Sequence, residues 1–153
     1  MTEGYHLAQL NIAGMKGPID GPLMASFVAR LEELNALADE APGFVWRLQS
    51  EDGDATAIRA FGDQVLVNLS VWTSIQALRD YAYGGRHLEL LRNRREWFEG
   101  ATRPYQVLWW VPAGHTPDVD EAKRKLVYLE SRGPTAEAFS FQQVFEAPAA
   151  IPS

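Results

Sequence analysis

Residues 65–98 read VLVNLSVWTSIQALRDYAYGGRHLELLRNRREWF. In the first part of this stretch Val65, Val67, Leu69 and Val71 fall on one side of an extended chain, and Leu66, Asn68, Ser70 and Trp72 fall on the other. A period of two predicts a strand. The period then changes: Thr73 or Ser74 offers a capping hydroxyl, and Ile75, Leu78 and Ala82 follow at helical spacing. Gly84-Gly85 interrupts this helix before a second helical run to Phe98.

On the N-terminal side, Tyr5 to Ile12 alternates and stops at Gly14, which predicts a first strand. Pro22 suits an opening helical turn, and Leu23, Phe27, Leu31, Leu34 and Ala38 repeat with helical period until Pro42-Gly43. Phe44, Trp46 and Leu48 then alternate with Val45, Arg47 and Gln49, a short strand, and a polar loop through Asp52-Gly53-Asp54 leads back to Val65. On the C-terminal side Tyr105 to Val111 predicts a fourth strand. Asp118 with Glu121 three residues on resembles a capping box, opening a helix striped by Val119, Ala122, Leu126 and Leu129 and closed by Gly133-Pro134. Ala138 to Phe145 reads as a last strand.

The resulting order, β-α-β-β-α-β with an added α-β, is the ferredoxin-like split βαβ pattern of the α+β class. One domain is expected over residues 1–146, with a disordered tail over 147–153. Helices on one side of such a sheet leave its other face for solvent or a partner. Phe44, Trp46, Trp109, Phe139 and Phe141 are more large apolar groups than that arrangement hides, so a homodimer is expected.

Composition narrows the function. With 153 residues and 46% hydrophobic content the chain can bury a substantial core. A net charge of −6 argues against a nucleic-acid partner, and the absence of cysteine excludes disulfides and thiolate chemistry. No basic leader precedes an apolar run at the N-terminus and no eighteen consecutive apolar residues occur, so no membrane span and a cytoplasmic location are expected. His6, His87 and His115 lack the short spacing of a histidine metal site, and phosphate-binding glycine motifs and GxSxG nucleophile turns are missing.

What remains is a concentration of aromatic and polar groups around one imidazole. His87 shares a helical stripe with Leu90, Leu91, Arg94 and Phe98, which turns it toward the sheet. There it is an axial ligand to haem iron, a general base for an organic substrate, or a histidine satisfied by a backbone carbonyl in ordinary packing. Asn68 and Ser70 share a sheet face with Trp72, and polar groups on a face that packs under helices bond either each other or a ligand. Trp97 closes the other end of that space or joins the core, Asn11 reaches it from the first strand, and Arg86 or Arg94 offers a guanidinium to a carboxylate or pairs with nearby glutamates.

The segments WTSIQALRDYAYGGRHLELLRNRREWF, WWVPAGHTPDVDEAKRKLVYLESRGP and AFSFQQVF resemble the bacterial family called domain of unknown function 3291, over nearly the whole chain. That family in turn resembles the dimeric α+β barrel superfamily, which includes antibiotic-biosynthesis-type, haem-degrading and spheroidene monooxygenases. The resemblance implies a paired barrel and a monooxygenase-like oxidoreductase that binds a small hydrophobic or aromatic molecule, or haem, between the second helix and the sheet. Haem-degrading members use an asparagine on the first strand, a tryptophan on the third and an axial histidine on the second helix. Asn11, Trp72 and His87 stand at the corresponding elements, with an added helical turn and the Gly84-Gly85 break between the last two. On this reading His87 is the metal ligand, Arg86, Arg94, Trp97 and Asn68 line the cofactor or substrate, and without haem His87 is the base while Asn11 or Asn68 holds an oxyanion. The alternative is a non-catalytic, hydrophobic-ligand-binding or stress-related dimeric module.

Overall fold

A computed structural model describes residues 4–17, 21–48, 65–82, 84, 97 and 106–147. In chain order the elements are β1 (Tyr5–Gly14), α1 (Ala25–Glu40), β2 (Phe44–Arg47), β3 (Val65–Trp72), α2 (Ile75–Ala82), β4 (Gln106–Pro112) and α3 (Val119–Arg132). The strands form one antiparallel sheet in the order β2-β3-β1-β4, so β1 and β3 lie at its centre. This is the expected α+β architecture with ferredoxin-like strand order. The helical run before Phe98 and the tail beyond Ala147 lie outside the described residues.

Local chemistry accounts for most element ends. The Ser74 hydroxyl accepts the Ala77 N–H at 3.0 Å and opens α2. Asp118 accepts the Glu121 N–H at 2.8 Å and opens α3, which ends at Gly133 with φ of 74°. Only half of the expected capping box forms, because the Glu121 carboxylate turns elsewhere: one oxygen accepts the Trp109 indole N–H at 2.8 Å and the other meets His115 Nε2 at 2.7 Å.

The two sheet faces differ in kind. Ala8, Leu10, Val67, Leu69, Val71, Val107, Trp109 and Val111 form a continuous apolar face, and α3 lays Ala122, Leu126 and Leu129 on it. This helix occupies much of the surface that the sequence reading assigned to a partner subunit. Trp109 and Phe139, two of the aromatics behind that expectation, are buried within the chain at 1% and 0% exposure.

Two expectations are corrected. A bulge between Phe44 and Trp46 breaks the simple alternation of β2, so Phe44 joins Trp72 on one face while Trp46 and Leu48 pack on the other. The last strand, expected over 138–145, is reduced to isolated bridges, of which one pairs the chain with the edge of β4. Leu108 and Phe139 exchange both backbone hydrogen bonds, at 2.7 and 2.9 Å. The segment then folds over the β4 edge, where the Trp110 indole N–H donates to the Phe145 carbonyl at 2.9 Å and the Arg79 guanidinium lies 5.2 Å from the Phe141 ring.

Candidate functional site

The second sheet face is built in rows set by strand register. The first row runs Trp110, Leu7, Trp72, Phe44; the next Leu108, Gln9, Ser70, Arg47; the third Gln106, Asn11, Asn68; and the fourth pairs Ala13 with Leu66. Apolar rows therefore bracket a polar strip in the middle of the sheet.

At the upper end, Trp72 stacks on Tyr81 with ring centroids 5.2 Å apart and meets Phe44 edge-on at 5.4 Å. Leu7, Leu78, Ala38, Leu108 and Phe139 complete this cluster. At the lower end Met15, Met24, Phe27 and Trp97 pack with Leu66. The Trp97 indole N–H donates to the Ser26 hydroxyl at 2.9 Å, and its ring lies 5.7 Å from Phe27 and 5.9 Å from the Arg30 guanidinium. Helix α1 contributes to both ends, through Phe27 below and Ala38 above. Trp72 and Trp97 thus belong to separate clusters on either side of the strip.

Gln9 ties the strip together. Its side-chain nitrogen donates to Asn68 Oδ1 at 2.8 Å and to Ser70 Oγ at 2.9 Å, with the Asn68 carbonyl at 3.4 Å. The Ser70 oxygen also accepts the Trp72 indole N–H at 2.9 Å. Gln9 and Ser70 are each 5% exposed, and among the described residues no buried side-chain nitrogen or oxygen lacks a partner. A buried amide is tolerated on this face because its donors are used. Asn68 is different: it sits at the centre of the sheet and is exposed. Asn11, directly across from it on β1, is half-buried.

Of the residues expected from sequence to form the site, Asn11, Asn68 and Trp72 share this face, and Trp97 stands at its far end. His87, Arg86 and Arg94 lie outside the described residues. Sequence reasoning missed Gln9, whose signal was its shared parity with Asn11 in β1, and it missed Arg47. The bulge in β2 brings Arg47 into register with Ser70, where its guanidinium bonds Asp39 of α1 at 2.8 Å.

Tyr81 seals the upper end by donating its hydroxyl to the Leu34 carbonyl at 2.9 Å. Burial pushes its pKa from 10.0 up to about 12, with Arg47 opposing the shift and Asp39 adding to it. The unfolded chain therefore ionises first, and the stability that the neutral phenol contributes is present below pH 10.0 and lost as pH rises toward 12. Allowing for the phenol's residual contact with water, the loss is about 2 kcal/mol. Urea unfolding across this range should show that loss in the parent protein and a flatter profile in Tyr81→Phe; identical slopes would refute it.

Among the described residues no helix is long and apolar enough to cross a membrane, and no group of three or more His, Cys, Asp or Glu is arranged to hold a metal. Residues 6–152 match the family described as domain of unknown function (DUF3291). No curated protein matches. Among solved structures, the chain is similar to a protein of unknown function from Nitrosomonas europaea, at 12% identity and TM-score 0.49 over 76% of this chain and 96% of that one. It is similar to SnoaB, a cofactor-independent oxygenase from Streptomyces nogalater, at 21% identity and TM-score 0.44 over 74% and 98%. A dabb family protein with a ferredoxin-like fold from Mesorhizobium loti gives 11% identity and TM-score 0.43 over 74% and 98%.

Proposed function

The chain belongs to the DUF3291 family, and from that premise we propose that it binds a flat, oxygen-bearing aromatic molecule on the Gln9–Asn68–Ser70 strip and acts on it as a monooxygenase-like oxidoreductase. The observation that carries this reading is the exposed Asn68 carboxamide in the middle of a sheet face whose two ends are closed by aromatic clusters. Surfaces that combine apolar walls with a few fixed polar groups are the usual form of a small-molecule site.

Each group has a part in this reading. The amide of Asn68, with Asn11 beside it, bonds the ligand oxygen. The aromatic clusters at the two ends, with Phe27 and Trp97 buried below and Trp72 buried beside the half-buried Tyr81 above, give the strip an apolar surround that favours a flat hydrophobic body. When a base takes the proton from the hydroxyl of an electron-rich ring, negative charge grows on that oxygen, and fixed N–H donors stabilise it more than they stabilise the neutral ground state; the resulting anion is the species that gives electrons to dioxygen. The base assigned to this step is His87.

A haem reading requires the same His87 as iron ligand, with Arg86 or Arg94 at a propionate. Among the described residues, His6 lies on the strand parity of Ala8 and Leu10, toward the opposite face, and His115 is engaged with Glu121. The described part of the site offers amides and a hydroxyl, which suit an organic ligand.

Asn68→Leu is expected to weaken binding of a probe such as 2-naphthol about tenfold, the worth of one to two hydrogen bonds. Titration calorimetry reads this directly, and unchanged affinity would remove Asn68 from the site. Dioxygen consumption with an electron-rich naphthalenediol separates enzyme from binding module. Binding without consumption would leave only the binding module.

A further inference from the structure

We propose that Gln9 is a positioning residue that sets the polarity of this site, so that the group it accepts is an oxygen acceptor: a phenolate, an enolate or a carboxylate. This rests on the strip being the ligand site. A carboxamide nitrogen carries two hydrogens, and those of Gln9 are aimed at Asn68 Oδ1, 2.8 Å away, and at Ser70 Oγ, 2.9 Å away. The first bond fixes which way round the Asn68 amide stands. Its oxygen faces Gln9, so its nitrogen, across Cγ in the same plane, is turned away from Gln9, and the residue as a whole is exposed. Among the described residues those two N–H donors have no acceptor.

Ser70 repeats the pattern. Its oxygen accepts from Gln9 and from the Trp72 indole, so its own hydrogen is left to donate. Gln9 thereby converts two residues that can either donate or accept into residues that present donors. An isolated asparagine would take either kind of ligand group. Turned by Gln9, it takes an acceptor.

Two flat probes of equal size, 2-naphthoate and 2-naphthylmethylammonium, test this against Gln9→Met, which removes the directing amide while keeping net charge and side-chain length. The parent protein is expected to bind naphthoate at least tenfold more tightly than the ammonium, and Gln9→Met to bring the ratio within about threefold. Because charge is unchanged, the field of Arg47 acts equally on both proteins and cancels in the comparison. Gln9→Glu, whose carboxylate accepts rather than donates, should reverse the preference; if that variant does not fold, Gln9→Met carries the test. A preference that survives intact in folded Gln9→Met, or a parent protein that favours the ammonium, overturns the role of Gln9 and leaves the strip as a binding site. Failure of the parent protein to bind either probe overturns both.

Discussion

Trp72→Ala is expected to cost about 4 kcal/mol of stability, in the range of fully buried tryptophan truncations. The indole is 1% exposed, stacked on Tyr81 and met edge-on by Phe44. Truncation leaves a cavity against rings that cannot collapse far, because Tyr81 is held to Leu34 by its hydroxyl and Phe44 is held by β-pairing. For a chain of this size about 4 kcal/mol lowers the melting temperature by roughly 8–16 °C. Trp72→Phe keeps an aromatic ring beside Tyr81 and Phe44 but removes the indole N–H and part of the bicyclic ring, so it should cost about 1–2 kcal/mol. A loss below about 1.5 kcal/mol for Trp72→Ala would mean that the ring does not serve as core.

This burial changes how Trp72 acts on a ligand. The resemblance to haem-degrading monooxygenases set Trp72 at the position of their third-strand tryptophan, among the catalytic candidates with Asn11 and His87, and in the structure its N–H is spent on Ser70. On the proposed function Trp72 is a positioning residue that holds the hydroxyl at the edge of the strip. Trp72→Phe returns a lone pair to Ser70 and should weaken binding of 2-naphthoate by about threefold.

The parts of this architecture that were legible in sequence are those set by local rules. The two parities of β3 separate Val65, Val67, Leu69 and Val71 from Leu66, Asn68, Ser70 and Trp72 as read, and Ser74 and Asp118 cap the helices they were expected to cap. What was illegible depends on cross-strand register or on the choice between partners distant in sequence. Gln9 is an unremarked polar residue until pairing with Ser70 is known. The bulge that brings Arg47 to the same row leaves no local signature in a four-residue strand. Glu121 satisfies a capping motif by spacing, but a buried indole N–H competes for its carboxylate. Covering of the Val67–Leu69–Val71 face by α3 likewise follows from tertiary packing and not from periodicity, which shows only that both partners have an apolar side.

Gly43→Ala should be the second most damaging single change, at about 3 kcal/mol, although it adds only a methyl group. Gly43 has φ of 83°, where a side chain costs about 1 kcal/mol. A Cβ there would stand 2.5 Å from Ala77 Cβ and 2.7 Å from Thr73 Oγ1. Ala77 Cβ has no torsion with which to retreat, so α2 or the turn must move, and overpacking of this kind costs about 1–3 kcal/mol. The turn is also pinned, because the Gly43 carbonyl accepts the Thr73 N–H at 2.8 Å. Any shift carries Phe44 away from Trp72, so ligand affinity and stability should fall together. A double-mutant cycle isolates the contact: Ala77→Gly alone costs about 1 kcal/mol as a glycine in a helix, yet in its background Gly43→Ala should cost about 1–2 kcal/mol less than in the parent protein. Strict additivity in urea unfolding would show that the two backbones do not meet here, and the close packing of α2 against the β2 turn, on which the upper wall of the site depends, would be wrong.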